Sequence, residues 1–312
     1  MLRILGRWAA SALPVLLLVS VLTFVLSSLI PGNVARVILG VNATQEQIDA
    51  LTEELGLNQP VFVRYWNWLV DAVHGDLGTS VINGQPVSSL IADRIGLTIS
   101  LIVGAVVLAA VVGVLLGVFS ALRGGWAGKL VDVIALLGLA IPGFWFGLVL
   151  VALFAVTWQI FPATGYTPPT ESVTEWLRSL VLPWITLGIP AAAPVAKQTR
   201  DGMLASLGKD YVRVLRARGI AESSIIFKHV LRNAASPVVT VLGIVAVVLL
   251  GGTVLVETVF VMPGLGGLSV IATSTHDIPV IQGLAVVFTI IVMIVSLIIE
   301  FVYAFINPKV RS

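Results

Sequence analysis

The chain has 312 residues, of which 58% are hydrophobic and 11% charged, with a mean hydropathy of +1.05 and a net charge of +2. An ordinary soluble domain carries about 25% charged residues, so a single water-soluble core is excluded and an all-α polytopic membrane protein is expected. There is no cysteine, which excludes disulfide frameworks and thiolate metal sites.

A membrane crossing needs roughly 20 apolar residues. Six stretches qualify, at about 9–30, 97–122, 131–157, 179–196, 234–256 and 280–306. Arg3 and Arg7 ahead of the first resemble the start of a signal peptide. The apolar run nevertheless reaches Ile30 and ends in Leu29-Ile30-Pro31-Gly32, a poor cleavage site, so a retained, signal-anchor-like span over 1–30 is expected.

Residues 31–96 form a long segment between the first two spans. Thr44 to Leu55 reads as a capped helix, with Thr44 at the N-cap, Glu46 and Gln47 in the first turn and Gly56 as the stop. A second helix is expected after Pro60, with Phe62, Tyr65, Trp66 and Leu69 on one face. That face fits a membrane-interface helix with aromatic anchors, the simpler reading, and also a docking surface for an external partner.

The remaining spans, residues 97–312, form the core. Gly113-x-x-x-Gly117 and Gly143-x-x-x-Gly147 would let helix backbones approach closely. Pro142-Gly143 is expected to kink the third span, either lining a pathway or simply packing. Pro183, Pro190 and Pro194 interrupt the fourth, which is the weakest of the six. It still counts, because neighbouring helices can satisfy the backbone groups that proline leaves open.

With the N-terminus in the cytoplasm, fourteen of the eighteen Lys and Arg residues fall inside, leaving Arg36, Arg64, Arg94 and Arg178 outside. This positive-inside bias puts both termini in the cytoplasm. Few charges lie within the spans. Asp132 and Glu300 fall near cytoplasmic ends and Glu257, His276 and Asp277 near outer ends, where interfacial positions are expected. No relay of ionisable residues crosses the midplane, so an ion-coupled pump lacks its usual parts.

ATP hydrolysis within the chain is not supported either. Gly124-Gly125-Trp126-Ala127-Gly128-Lys129-Leu130 lacks the first glycine and the Ser/Thr of a phosphate loop, and Gly264-Leu265-Gly266-Gly267 leads to no lysine; both read as turns. His74, His229 and His276 fall on opposite sides of the membrane, and neither a metalloprotease nor a serine-nucleophile motif occurs. No catalytic residue, metal site or nucleic-acid contact is expected.

The segment 197–232 stands out. It holds eight of the eighteen basic residues between the fourth and fifth spans. Tyr211, Val214, Leu215 and Arg218 share one helical side, and Gly219 can take the left-handed conformation that stops a helix. A second helix resumes at Ala221 or Glu222, with Ile225, Ile226, His229 and Val230 as an apolar patch. Two short helices hinged at Gly219 fit a protein cleft; a basic amphipathic segment also fits anionic lipid.

Several motifs in order give the chain a resemblance. They are Leu55-Gly56-Leu57-Asn58-Gln59-Pro60, Gly75-Asp76-Leu77-Gly78-Thr79-Ser80, and Asp210-Tyr211-Val212-Arg213 through Arg216-Ala217-Arg218-Gly219. Then come His229-Val230-Leu231-Arg232-Asn233-Ala234 with Pro237-Val238, Glu257-Thr258-Val259-Phe260 with Pro263-Gly264-Leu265-Gly266, and Asn307-Pro308. Almost end to end, the chain resembles the first permease subunit of ATP-binding-cassette dipeptide and oligopeptide importers. Asn33 stands where family members commonly have aspartate, and Leu215 where they usually have alanine.

The resemblance implies the six-helix importer-permease fold in a bacterial cytoplasmic membrane. It also implies a second permease subunit, two cytoplasmic ATPase subunits (or one fused) that bind ATP and magnesium, and an extracytoplasmic binding protein. Asp210, Tyr211, Arg213, Leu215, Arg216, Ala217, Arg218, Gly219, Glu222, Phe227 and His229 would form the ATPase-coupling element. Glu257, Phe260, Pro263, Gly264 and Gly266 would form an outer motif. Peptides, glutathione and nickel chelates are the cargo of close relatives. An ion-coupled transporter or channel, active without ATPase subunits, and a membrane scaffold without transport are the competing classes.

Overall fold

A computed structural model describes residues 2–29, 34–40, 42–54, 56–126, 128–129, 133 and 141–306. Regular structure among them is helical, apart from one isolated antiparallel bridge between Thr79 and Pro86. The helices are α1 (Leu2–Leu29), α2 (Val34–Leu39), α3 (Gln45–Glu54), α4 (Val61–Val73) and α5 (Val87–Arg123). After them come α6 (Gly143–Thr157), α7 (Val173–Leu207), α8 (Asp210–Ala217), α9 (Glu222–Val259), α10 (Leu265–Ser274) and α11 (Ile278–Ile306).

Five of these are long and apolar enough to cross a membrane: α1, α5, α7, α9 and α11. They answer to the expected first, second, fourth, fifth and sixth spans. For the third span, residues 131, 132 and 134–140 lie outside the described residues, as does Asp132. Its described part, α6, is a 15-residue apolar helix that turns π-helical from Val151 to Thr157. Pro142 does not kink a continuous helix. It is extended at ψ 127° and α6 starts after it, as suits a residue without an N–H.

The prolines of the fourth span do not interrupt it. α7 runs unbroken for 35 residues through Pro183, Pro190 and Pro194. Its start is capped by Ser172, whose Oγ accepts the Glu175 N–H at 3.3 Å. Packing carries the middle: Leu180, Leu182, Leu187, Ala192, Val195 and Ala196 are all buried. The chain approaches α7 through glycine. A Cβ on Gly113 would stand 2.6 Å from Val195 Cβ, and one on Gly117 2.6 Å from Ala196 O. The first small-residue motif is therefore a close helix contact. Of the second, only Gly147 packs, near Thr186 and Phe260, while Gly143 faces open space.

The described residues form two compact units, one within residues 2–98 and 263–294, the other within 99–262 and 295–306. In the first, α3 and α4 stand as expected. Thr44 and Gln47 cap α3 reciprocally, the Thr44 Oγ1 accepting from Gln47 N and the Gln47 Oε1 from Thr44 N. Pro60 precedes α4. α4 packs within the unit through Tyr65 and Trp68. Tyr65 bonds Ser20 at 2.9 Å, meets Phe24 edge-on and lies beside Trp68, whereas Phe62 and Trp66 are exposed. Phe62 and Trp66 are open, as aromatic anchors or a docking surface require, while Tyr65, expected on their face, turns inward beside Trp68.

Two acids expected at interfacial positions are buried within the protein. Glu257 and Asp277 are 1% and 3% exposed. Asp277 accepts a 2.5 Å hydrogen bond from Ser80 Oγ and one from the Val81 N–H, which offset the cost of burial. His276 is half-buried with φ +57°, and Glu300 is exposed. Gly266 and Gly267 lie within α10 rather than in a turn.

Candidate functional site: the segment 197–232 and the 257–266 motif

The segment 197–232 is mostly helical. Its first residues are the end of α7, which runs to Leu207, and its last belong to α9. Only α8 is a separate short helix. The second of the two expected short helices is the start of the fifth span, because Glu222–Val259 forms one continuous helical run. Ile225–Val230 within it is π-helical, a local widening often found at functional positions.

α8 is anchored through one face. Val212 is fully buried and Tyr211 and Leu215 are half-buried, packed with Val118, Met203, Ile225, Ile226 and Val230. Tyr211 Oη accepts a 3.0 Å hydrogen bond from Asn233 Nδ2, tying α8 to α9. The apolar patch of Ile225, Ile226 and Val230 is thus internal, and Val214, expected beside Tyr211, is exposed. Val212 was missed because its neighbours Tyr211 and Leu215 drew the expected face to one side; its three-residue spacing to Leu215 was the available signal.

The other face of α8 is polar and open. Asp210 and Arg213 form an exposed pair at 3.5 Å, and Ala217, Arg218 and Gly219 are exposed. Gly219 has φ +72° and closes α8: its N–H donates to Arg216 O at 3.0 Å and the Ile220 N–H to Leu215 O at 3.3 Å. This pair of bonds is the Schellman motif, and the half-buried Ile220 and Leu215 supply its apolar contact. Across the turn, Arg216 grips Glu222 with Nη2 to Oε1 at 2.6 Å and Nε to Oε2 at 3.1 Å. The bidentate contact raises the Arg216 pKa above its ordinary value and lowers that of Glu222. Phe227 is 60% exposed and His229 half-buried.

At the other end of α9 lies the first half of the outer motif. Glu257 and Phe260 are buried, and Phe260 O accepts the Gly165 N–H at 2.9 Å. The helix ends in the same type of turn, with Val261 at φ +51° and the Met262 N–H donating to Glu257 O at 2.8 Å. In the second half, Pro263 is exposed while Gly264 and Gly266 are buried. The Leu265 N–H donates to the buried Thr98 Oγ1 at 2.9 Å. The structure therefore brings Arg216, Gly219 and Glu222 together around one turn and places Glu257 and Phe260 at the far end of the same helix.

Two family models cover nearly the whole length. Residues 113–312 match the binding-protein-dependent transport system inner membrane component, and residues 1–102 match the N-terminal part of such membrane components. The chain belongs to this family of importer permeases. It is 39% identical over 312 residues, 100% of this chain and 99% of the relative, to a Brucella abortus protein named for peptide transport system permeases. A peptide ABC transporter permease of Sinorhizobium fredii is 37% identical over 98% of both chains. The glutathione transport system permease protein GsiC of Escherichia coli is 36% identical over 96% of this chain and 95% of that one. The permease is thus an inner-membrane transport component, consistent with five helices long enough to span.

Proposed function

We propose that the permease forms half of a peptide path together with a second permease subunit. Partner ATPase subunits, which hold ATP and magnesium, drive it through α8, the Gly219 turn and the start of α9. An extracytoplasmic binding protein delivers the cargo. The observation that carries this reading is the division of α8 into two faces: Val212 anchors it within the chain, while Asp210, Arg213, Ala217 and Arg218 are left outward. A helix fixed on one side and polar on the other is suited to transmit a push from a partner. Peptide cargo is supported by the names of the full-length relatives, and the GsiC likeness favours glutathione, itself a small peptide, as a second candidate.

The test is Ala217→Arg in a complex reconstituted into liposomes. Ala217 is exposed, so the larger side chain meets the partner rather than this chain's own core. ATP-driven peptide uptake is expected to be lost while the thermal stability of the isolated permease stays unchanged. Intact uptake would show that the segment is not the coupling surface. Uptake by the permease alone, driven by an ion gradient, would replace the importer reading altogether.

A further inference from the structure

The two outer sequence signatures, around Gly56–Pro60 and Gly75–Ser80, play no part in the coupling scheme, yet both contribute to one cleft. It measures about 430 Å³ and lies wholly within the unit of residues 2–98 and 263–294, lined from α1, α3, α4, the Thr79–Val81 stretch and the start of α11. On one wall stands Arg64, half-buried, with its guanidinium 5.8 Å from the centre of the Phe24 ring. No described carboxylate lies within ion-pair distance of it. Burial also pulls its pKa below the ordinary value. A partly desolvated guanidinium with no carboxylate beside it is well placed to receive an anion from outside.

Two more side chains of the lining are incomplete. Trp68 Nε1, a donor, and Gln282 Oε1, an acceptor, are both buried and without a hydrogen-bond partner. Gln282 is fully buried and its Nε2 is already committed to Ser20 O at 2.8 Å. Buried polar atoms in folded proteins are as a rule partnered, so a leftover donor and acceptor at one cleft mark a place that suits a polar ligand. Asn67 and Gln59 add exposed amides, and Glu54 is the acidic residue of the lining.

We propose that this cleft binds a small carboxylate carrying a hydrogen-bond donor, of the amino-acid or peptide-end kind, with the carboxylate on Arg64. Guanidinium and indole N–H match a carboxylate's two oxygens, and the Gln282 oxygen takes the ligand's N–H. The volume holds a ligand of dipeptide size. Binding to this cleft requires no ATPase.

The experiment is calorimetric titration of the full-length permease complex in nanodiscs with three probes: dialanine, dialaninamide and inorganic phosphate. Dialanine is expected to bind saturably, and dialaninamide, which lacks the carboxylate, at least about tenfold more weakly. Arg64→Gln should weaken dialanine to the same extent, Arg64→Lys less. Trp68→Phe, which removes the N–H and keeps the packing, should weaken it several-fold with the melting temperature retained. Absence of dialanine binding, equal binding of the amide, or unchanged binding in both Arg64→Gln and Trp68→Phe would overturn the proposal. Tighter binding of phosphate than of dialanine would overturn the carboxylate assignment in favour of a phosphate or lipid-headgroup site.

Discussion

Arg216 and Glu222 close the Gly219 turn as a bidentate pair, six residues apart in sequence and joined by contacts of 2.6 and 3.1 Å. Both side chains are about half exposed, so solvent screens the pair and its worth to global stability is small. Its worth lies in holding the angle between α8 and α9. Glu222→Gln is therefore expected to leave the melting temperature unchanged while lowering ATP-coupled uptake several-fold in reconstituted vesicles.

The same pair sets a pH dependence. The Glu222 pKa is lowered, chiefly by its hydrogen bond from Arg216. A depressed carboxyl contributes fully above its unfolded value, about 4.3, and loses that contribution as pH falls through the lower folded value. The turn should hold throughout neutral pH and loosen only in acid below the ordinary glutamate range. The amide resonance of Gly219, followed by NMR down to acid pH, checks this, and Glu222→Gln should remove the titration.

Gly219 itself tests a different cost. A Cβ there would meet nothing within 4 Å, so substitution strains only the backbone at φ +72°. Gly219→Ala should cost about 1–2 kcal/mol locally. Gly219→Asn should cost less, since asparagine tolerates the left-handed region. Uptake should follow the order Gly, Asn, Ala, Val.

Steric conflict rules at Gly117 instead. An added Cβ would lie 2.5 Å from Thr199 Cβ and 2.6 Å from Ala196 O, and backbone cannot swing aside. Gly117→Ala is expected to destabilise the permease by about 1–3 kcal/mol, read as a lower melting temperature in detergent. Gly143→Ala, with nothing within 4 Å, should be neutral in the same assay.

Val261 offers a gain. A β-branched residue at φ +51° is strained, and the position is 66% exposed. Val261→Gly should relieve about 1–2 kcal/mol of strain and lose part of that to the greater freedom of glycine in the unfolded chain. A small rise in melting temperature is the expected outcome.

What the sequence made legible was local: apolar length, the Thr44 cap and the stop signals at Gly56 and Gly219. Each rests on neighbours in the chain. Contacts distant in sequence were harder to read. Glu257 and Asp277 looked interfacial because nothing in the local string announces that Ser80 will donate to Asp277 from 197 residues away. The prolines of α7 looked disruptive because local propensity ignores the packing of α5 against that helix. The second short helix failed for a simpler reason. Polar residues at its start suggested a separate element, whereas a helix leaving the bilayer need not end there.

That continuity has a consequence for the register of the chain. Glu222, at the Gly219 turn, and Glu257 are carried by one helix, so their angular phase is set by the number of residues between them. One residue inserted between Leu231 and Val256 would rotate one end against the other by about 100° and lengthen the rod by about 1.5 Å. The outer acid would leave its buried position even though no side chain in either site had changed. Substitutions at the exposed positions of the middle of α9, such as Ile244 and Val248, should be tolerated, and insertions or deletions there should not.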